Sequence, residues 1–233
     1  MLGVRGSVVC IVATLGFDEK HVVRSLIRIG FRDVDAIKLL VPRREHRDEF
    51  LEKKVGEAFS KIKSLAEMAE VKDVTLVEVP IKNFVDGVAT IRGVLRKCLR
   101  SSRSVVLSLG GGMRALVVES LIAALSLPER ERRNVKIFVE LESGEGFVEF
   151  DAAVPLSVSL SSIEADVLRF LASCGNASLG DIATKLGLPR STAWKALDKL
   201  ASLGLVERSE GLYVVTEYGK LIAKIIEQDS ATS

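Results

Sequence analysis

The sequence has few of the residues that build metal sites and disulfide frameworks. Its 233 residues include three cysteines and two histidines, and Cys10, Cys98 and Cys174 form no C-x-x-C pair. We therefore expect neither a disulfide framework nor a structural zinc site. No apolar run approaches the roughly 18 residues of a membrane-spanning helix, and the first residues lead into a strand rather than a signal peptide. These absences predict a cytoplasmic protein with no membrane partner.

Length and composition predict two globular domains. The chain is longer than the usual single domain of about 100–150 residues. With 48% apolar and 27% charged residues, the composition argues against disorder. A serine-rich stretch with one proline separates two different hydrophobic patterns. The predicted division is a first domain over 1–150, a linker over 151–160 and a second domain over 161–233.

The first domain alternates short β-branched runs with longer segments of helical spacing. The predicted strands are Val8–Thr14, Ala36–Val41, Val74–Val79, Val105–Leu109, Val135–Leu141 and Phe147–Phe150. The predicted helices are Glu19–Ile29, Arg47–Ala69, Phe84–Leu99 and Arg114–Leu125. This order predicts an α/β fold with a Rossmann-like, mostly parallel sheet covered by helices on both faces.

A run of three glycines follows the fourth predicted strand, where sheets of this kind bind ligands. Gly110, Gly111 and Gly112 are able to take positive φ angles and to let the backbone approach a bound group. The helix that begins after them favours an anion at its N-terminus. The guanidinium of Arg114 is suited to pair with phosphate. The loop therefore predicts a phosphorylated ligand.

Two other loops are expected to open on the same side of the sheet. After the first strand, Thr14 offers a hydroxyl, Gly16 relaxes the turn, and Asp18 is a candidate cap for the next helix. After the third strand, Lys82 offers a cation and Asn83 an amide able to read a base edge, with Phe84 as a candidate for stacking. Loops of this type also need small and capping residues for their own folding, so a structural role is the alternative.

No enzyme motif accompanies these loops. The glycine run lacks the Lys-Ser/Thr ending of a P-loop, and no dinucleotide-binding loop follows the first strand. No Ser/His/Asp set is evident either. We therefore expect no catalytic residues, no cofactor and no bound metal, and a binding protein rather than an enzyme.

The second domain has the pattern of a winged helix-turn-helix. Ser161 and Glu164 cap a first helix, a second spans Ser178–Leu186, and the third spans Arg190–Leu203. The outward face of the third helix suits the major groove of DNA. Its candidate DNA contacts, with one from the following wing, are Arg190, Ser191, Thr192, Trp194, Lys195, Lys199 and Arg208.

Charge leaves a second interpretation of this domain open. Residues 160–233 contain eight Lys and Arg against nine Asp and Glu, whereas DNA-binding domains are usually basic on their contact face. A protein-interaction module is therefore the alternative. The last predicted helix, Glu217–Gln228, carries an apolar stripe that is a candidate dimer contact, formed by Leu221, Ile222, Ile225 and Ile226.

Taken together, the two halves resemble archaeal CRISPR-associated transcription regulators that join a CARF (CRISPR-associated Rossmann fold) domain to a winged helix-turn-helix. The resemblance rests on Thr14-Leu-Gly-Phe-Asp18, on Leu107-Ser-Leu-Gly-Gly-Gly-Met-Arg114 and on the domain order. It implies a homodimer that binds a cyclic oligoadenylate, such as cyclic tetra-adenylate, in a pocket shared across the two-fold axis. Ligand would then alter binding to double-stranded promoter DNA.

By the same resemblance, the ligand contacts are Thr14, Gly16, Phe17, Gly110, Gly111, Gly112, Met113 and Arg114. The chemistry of the loops adds Asp18, Lys82 and Asn83 to this set. Two rival functions are a ring nuclease that degrades cyclic oligoadenylate and a repressor that responds to another metabolite.

Overall fold

The computed structural model describes residues 8–43, 48–71, 73–141, 146–154 and 158–232. The chain divides into two compact units, Met1–Ala153 and Val154–Ser233. Residues 155–157 of the predicted linker and 142–145 of the predicted hairpin turn lie outside the described residues, as does His46. Within the part of the chain that the structure describes, no helix is long and apolar enough to cross a membrane.

The first unit contains a six-stranded sheet in the order β3-β2-β1-β4-β5-β6. Its strands are β1 (Val9–Thr14), β2 (Val34–Pro42), β3 (Asp73–Val79), β4 (Ser104–Leu109), β5 (Val135–Glu140) and β6 (Phe147–Asp151). The first five strands are parallel, and β6 pairs with β5 in the antiparallel direction. The predicted Rossmann-like α/β fold is confirmed.

Helices cover both faces of this sheet. They are α1 (Lys20–Ile29), α2 (Glu49–Met68), α3 (Phe84–Ser101), α4 (Arg114–Leu125) and the short α5 (Glu129–Arg132). Every residue of β1 is buried, because alternate side chains enter two different cores. Ile11 packs in the core that contains Leu26 of α1, whereas Val12 packs in the core that contains Leu95 of α3.

A disulfide joins Cys10 of β1 to Cys98 of α3. The two residues are 88 apart in sequence, and their Cα atoms are 5.8 Å apart. The sequence pattern did not predict this bond, because the spacing of the two cysteines says nothing about which helix packs on β1. Cys174 is free and exposed.

The second unit has the helices and the wing that the sequence predicts. Its elements are α6 (Ser162–Cys174), β7 (Asn176–Ala177), α7 (Leu179–Leu186), α8 (Arg190–Ser202), β8 (Val206–Ser209), β9 (Leu212–Val215) and α9 (Glu217–Thr232). Ser161 and Glu164 form a reciprocal capping box at the start of α6. A turn with positive φ at Glu210 and Gly211 joins β8 to β9, as suits a tight hairpin.

The apolar stripe of α9 is divided between the core and the surface. Ile222 is 7% exposed and belongs to the core of the second unit, and Ile226 packs against that core. Leu221 and Ile225 are 46% and 42% exposed. Only these two members of the stripe are therefore available for a dimer contact.

Candidate ligand site and nucleic-acid interface

Two of the three predicted ligand loops, those after β1 and β4, meet at the point where the strand order of the sheet reverses, whereas the loop of Lys82 and Asn83 follows the edge strand β3. β1 lies between β2 and β4, with Thr14 beside Leu40 and Ala13 beside Ser108. The connections after β1 and β4 lead to α1 and α4 and leave this point in opposite directions. In open parallel sheets such a switch point forms the crevice in which ligands bind.

Two glycines let the loops after β1 and β4 touch. A Cβ atom on Gly16 would stand 2.7 Å from the backbone nitrogen of Gly112, which is closer than real Cβ contacts allow. Gly112 itself has a φ of +87°, and a Cβ on it would stand 3.1 Å from the carbonyl oxygen of Leu15. Neither position accepts a side chain without a backbone shift.

The other two glycines of the run have a different reason for being glycine. Among the three, Gly112 is the one with a positive φ. A Cβ on Gly111 would overlap the ring of His21, and one on Gly110 would stand 2.8 Å from the Cβ of His21. The ability of glycine to take a positive φ is therefore used at Gly112, whereas Gly110 and Gly111 are needed for close packing against His21.

His21 is the residue of this site that the sequence did not reveal. It lies in the first turn of α1 and is 5% exposed. Its Nε2 donates a hydrogen bond of 2.6 Å to the carbonyl oxygen of Thr14. Burial lowers the pKa of the imidazole, against the opposing effect of that hydrogen bond. The one available signal was a histidine placed one turn after a glycine-containing loop.

Thr14 and Asp18, two predicted ligand contacts after β1, have different surroundings in the structure. Thr14 is fully buried, and its Oγ1 has no hydrogen-bond partner among the described residues. Asp18 accepts a hydrogen bond of 2.9 Å from the backbone nitrogen of Lys20, the first residue of α1. That hydrogen bond lowers the pKa of the Asp18 carboxyl. Asp18 therefore holds the turn that leads into α1, but the predicted cap is one residue too early, because the N-cap residue of this helix is Glu19.

Asn83 has a capping role in α3. Its Oδ1 accepts hydrogen bonds from the backbone nitrogens of Val85 and Asp86, at 3.1 and 3.3 Å. Its Nδ2 donates to the Asp86 carboxylate at 2.6 Å. The amide that was expected to read a base edge is thus engaged within its own helix. Lys82 is exposed, and Phe84, the candidate for stacking, is 53% exposed rather than part of the core.

The exposed side chains in the loops at the switch point include Phe17, Asp18, Met113 and Arg114. Phe17 and Met113 are 56% and 54% exposed. Arg114 is the first residue of α4 and forms no ion pair with any residue that the structure describes. Met113, the N-cap of α4, supplies no side-chain hydrogen bond, so the first amides of this helix are not capped as those of α3 are. These groups offer apolar surface and phosphate-binding donors side by side.

Two clefts on the first unit lie apart from the glycine loop. One, of about 670 Å³, lies between α1 and α2 and includes Lys20 and Ser64. The other, of about 1280 Å³, lies near the amino ends of the strands and includes Arg32 and Met68. Neither contains a residue of Gly110–Arg114, so neither belongs to the predicted ligand site.

The third helix of the second unit, α8, presents the face that the sequence predicts for DNA. Ala193, Leu197 and Leu200 are fully buried. The opposite face carries exposed Arg190, Ser191, Trp194, Lys195 and Lys199, with Thr192 partly exposed. Arg208 is exposed on β8 in the wing, and its guanidinium carbon lies 6.0 Å from the ring centroid of Tyr213. These side chains can contact a DNA groove and its phosphates together.

A Rossmann-like domain joined to a winged helix-turn-helix is an architecture typical of transcription regulators. Residues 9–151 match the family model described as the Csa3 CRISPR-associated Rossmann-like domain, and the chain belongs to this family. Residues 165–210 match the model of the IclR helix-turn-helix domain. The two matches together define a CRISPR-associated Rossmann-like domain followed by a helix-turn-helix domain.

Solved structures resemble the chain weakly. Protein VC1899 from Vibrio cholerae is 11% identical, with 92% of this chain and 64% of that chain covered and a TM-score of 0.41. Can2 from Sulfobacillus thermosulfidooxidans, solved in complex with cyclic tetra-adenylate, is 12% identical, with 96% and 68% covered and a TM-score of 0.40. A search of curated proteins finds no match.

Other solved structures match about a third of this chain. NMB1585, a MarR family regulator from Neisseria meningitidis, is 30% identical over 31% of this chain and 56% of its own, with a TM-score of 0.29. Ligand-free NadR, and ZitR from Lactococcus lactis, are likewise covered over 56–57% of their length.

Proposed function

We propose that this chain regulates CRISPR-associated genes by binding cyclic tetra-adenylate at the switch point and promoter DNA through α8. The observation that carries the proposal is the contact between the loops after β1 and β4, which contain Phe17 and Met113 and lead to Arg114 at the uncapped start of α4. The ligand class comes from the resemblance to CARF regulators described above.

The groups at the switch point match the chemistry of a cyclic oligoadenylate. Such a ligand carries phosphates, which Arg114 and the first amides of α4 are suited to bind. Its adenine bases have apolar faces, against which Phe17 and Met113 can pack. Gly16, Gly112 and the buried Thr14 set the position of the loops, and Lys82 adds positive charge after the edge strand β3.

An apolar surface on α3 and α4 supports the homodimer. We name this surface the α3–α4 face; its exposed residues include Val85, Val118 and Ile122, which are 71%, 52% and 36% exposed. α4 is apolar on nearly every side, as expected of a helix that becomes buried all round. Because both helices begin at the carboxyl edge of the sheet, pairing two copies through this face brings two ligand loops together.

Titration calorimetry with cyclic oligoadenylates of several ring sizes tests the proposal. We expect cyclic tetra-adenylate, the ring of four nucleotides, to bind with one ring per dimer. Arg114→Ala should abolish most of the heat of binding. Arg100→Ala, an exposed arginine at the far end of α3, is the matched control and is expected to bind normally. Chromatography of the ligand after incubation would reveal a ring nuclease, and a response to another nucleotide alone would favour a different effector.

A further inference from the structure

We infer that one face of α1 transmits ligand binding from the glycine loop to β6, the last strand before the DNA-binding unit. This inference rests on the proposed function. The face consists of His21, Arg24, Ser25 and Arg28, which are spaced three, four and seven residues apart and so lie on one side of the helix. Each of the four contacts a different loop or strand of the first unit.

The first turn of α1 holds the glycine loop. The ring of His21 fills the space that side chains at Gly110 and Gly111 would need, and its Nε2 donates to the carbonyl of Thr14. A ligand that pulls or pushes the loop backbone therefore acts on His21 directly. Because the ring is 5% exposed and closely packed, it cannot move without α1.

The middle of α1 makes polar contacts with β4, which precedes the loop, and with β5, the next strand in the chain. Ser25 Oγ lies 2.9 Å from Ser108 Oγ of β4, and both residues are buried. Arg24 forms an ion pair with Glu140 at the end of β5. The Glu140 carboxylate also borders the loop, since a Cβ on Gly110 would stand 3.0 Å from its Oε2. Movement of the loop thus reaches the end of β5 through the same helix.

The last turns of α1 are tied to β6 by Arg28. Its Nη2 and Nε donate to the carboxylate of Glu149, at 3.0 and 3.2 Å. Its guanidinium carbon lies 5.8 and 6.0 Å from the ring centroids of Phe138 and Phe147. β6 ends at Asp151, and the chain then continues into the second unit. Arg28 is therefore a positioning residue that connects the sensing helix to the outgoing strand.

Hydrogen exchange measured on the full chain tests this route without knowledge of the operator. Cyclic tetra-adenylate is the probe. We expect it to slow exchange in the loop 110–112 and to change exchange in β6 by about fivefold, the lower end of ordinary allosteric coupling. In Arg28→Ala the loop response should remain and the β6 response should fall to near zero. Glu149→Gln, which weakens the same contact from β6, should reduce that response as well.

The matched control is Arg96→Ala. Arg96 forms a comparable ion pair with Glu131, at 3.0 Å, away from the α1 face, so its loss should leave both responses intact. A β6 response that survives in Arg28→Ala would overturn the inference, as would a wild-type chain whose loop responds while β6 does not.

A second perturbation separates this inference from the proposed function. In Gly111→Ala the added methyl group pushes against His21 in the absence of any ligand. This single variant should alter hydrogen exchange in β6. The double variant Gly111→Ala, Arg28→Ala should show no such change relative to Arg28→Ala alone. If cyclic tetra-adenylate leaves the loop unchanged, the proposed ligand is wrong, and this ligand-free comparison still decides the route. Equal β6 changes in both backgrounds would refute transmission through α1.

Discussion

Gly16 and Gly112 face each other so closely that a single methyl group on Gly16 would stand 2.7 Å from the Gly112 nitrogen. This contact joins the loops after β1 and β4 into one surface. Its existence depends on the strand order, because those loops are neighbours only when β1 and β4 are adjacent.

Gly16→Ala tests that contact. The added methyl group should displace one loop, lower the free energy of unfolding by about 1–3 kcal/mol, and weaken binding of cyclic tetra-adenylate. Thermal unfolding and calorimetry measure the two effects. Gly93→Ala is the control, because a Cβ there has no neighbour within 4 Å and the helix should gain about 0.5–1 kcal/mol. An unchanged Gly16→Ala protein would contradict the close approach.

Arg114→Ala and Lys195→Ala should separate the two binding functions. The first removes the exposed cation at the ligand loop and should weaken ligand binding by about tenfold or more while DNA affinity is retained. The second removes a cation from the exposed face of α8 and should weaken DNA binding and lower its salt dependence by about one unit of slope. Calorimetry and fluorescence anisotropy measure the pair. Parallel loss of both activities in either variant would argue against separate sites.

Val118→Asp should dissociate the proposed homodimer. It places a charge at the centre of the α3–α4 face, where a paired copy would bury it without a partner. Analytical ultracentrifugation should show a monomer, and circular dichroism should show that this monomer keeps the secondary structure of the wild type. Ile27→Asp is the control, since Ile27 is a similarly exposed apolar residue on α1, 64% exposed. A dimer that persists in Val118→Asp would place the interface elsewhere.

Cys98→Ala should reveal the contribution of the disulfide to Cys10. Closing a loop of 88 residues is expected to stabilise the fold by up to about 4–5 kcal/mol, by constraining the unfolded chain. The wild-type melting temperature should therefore fall in reductant, whereas that of Cys98→Ala should be low and insensitive to reductant. Cys174→Ala, which changes the free exposed cysteine, should behave as wild type in both conditions.

Glu119 should make stability depend on pH. It is 3% exposed, its Oε2 has no hydrogen-bond partner in the described part of the chain, and burial raises its pKa above 4.5. An acid with a raised pKa in the folded state stabilises below its unfolded pKa, and this contribution is lost as pH rises through the folded value. Glutamine does not ionise, so Glu119→Gln should not lose stability as pH rises. The free energy of unfolding of this variant, relative to that of the wild type, should therefore increase from about pH 4 upward.

Glu129→Gln should change the pH dependence of stability in the opposite direction from Glu119→Gln. The hydrogen bond from Arg133 lowers the pKa of Glu129, so this group stabilises above its unfolded pKa and loses that effect as pH falls. Melting curves at a series of pH values compare the two variants. A Glu119→Gln curve parallel to that of wild type would show that the buried carboxyl does not titrate with unfolding.

Local signals in the sequence predicted most of the elements. The bounds of α4, Arg114–Leu125, were predicted as they stand in the structure, and the capping box of Ser161 and Glu164 was foreseen at the start of α6. The buried and exposed faces of α8 followed from helical spacing alone. These features depend on residues within one or two turns of each other, so the chain specifies them locally.

The sequence by itself thus determined an α/β domain followed by a winged helix, and the loops in which a ligand site belongs. Only the tertiary structure placed β1 beside β4, set His21 against Gly110 and Gly111, and brought Cys10 to Cys98. The physical reason is distance along the chain. Contacts between residues some ninety positions apart depend on strand order and packing, for which the residues between them carry no local pattern.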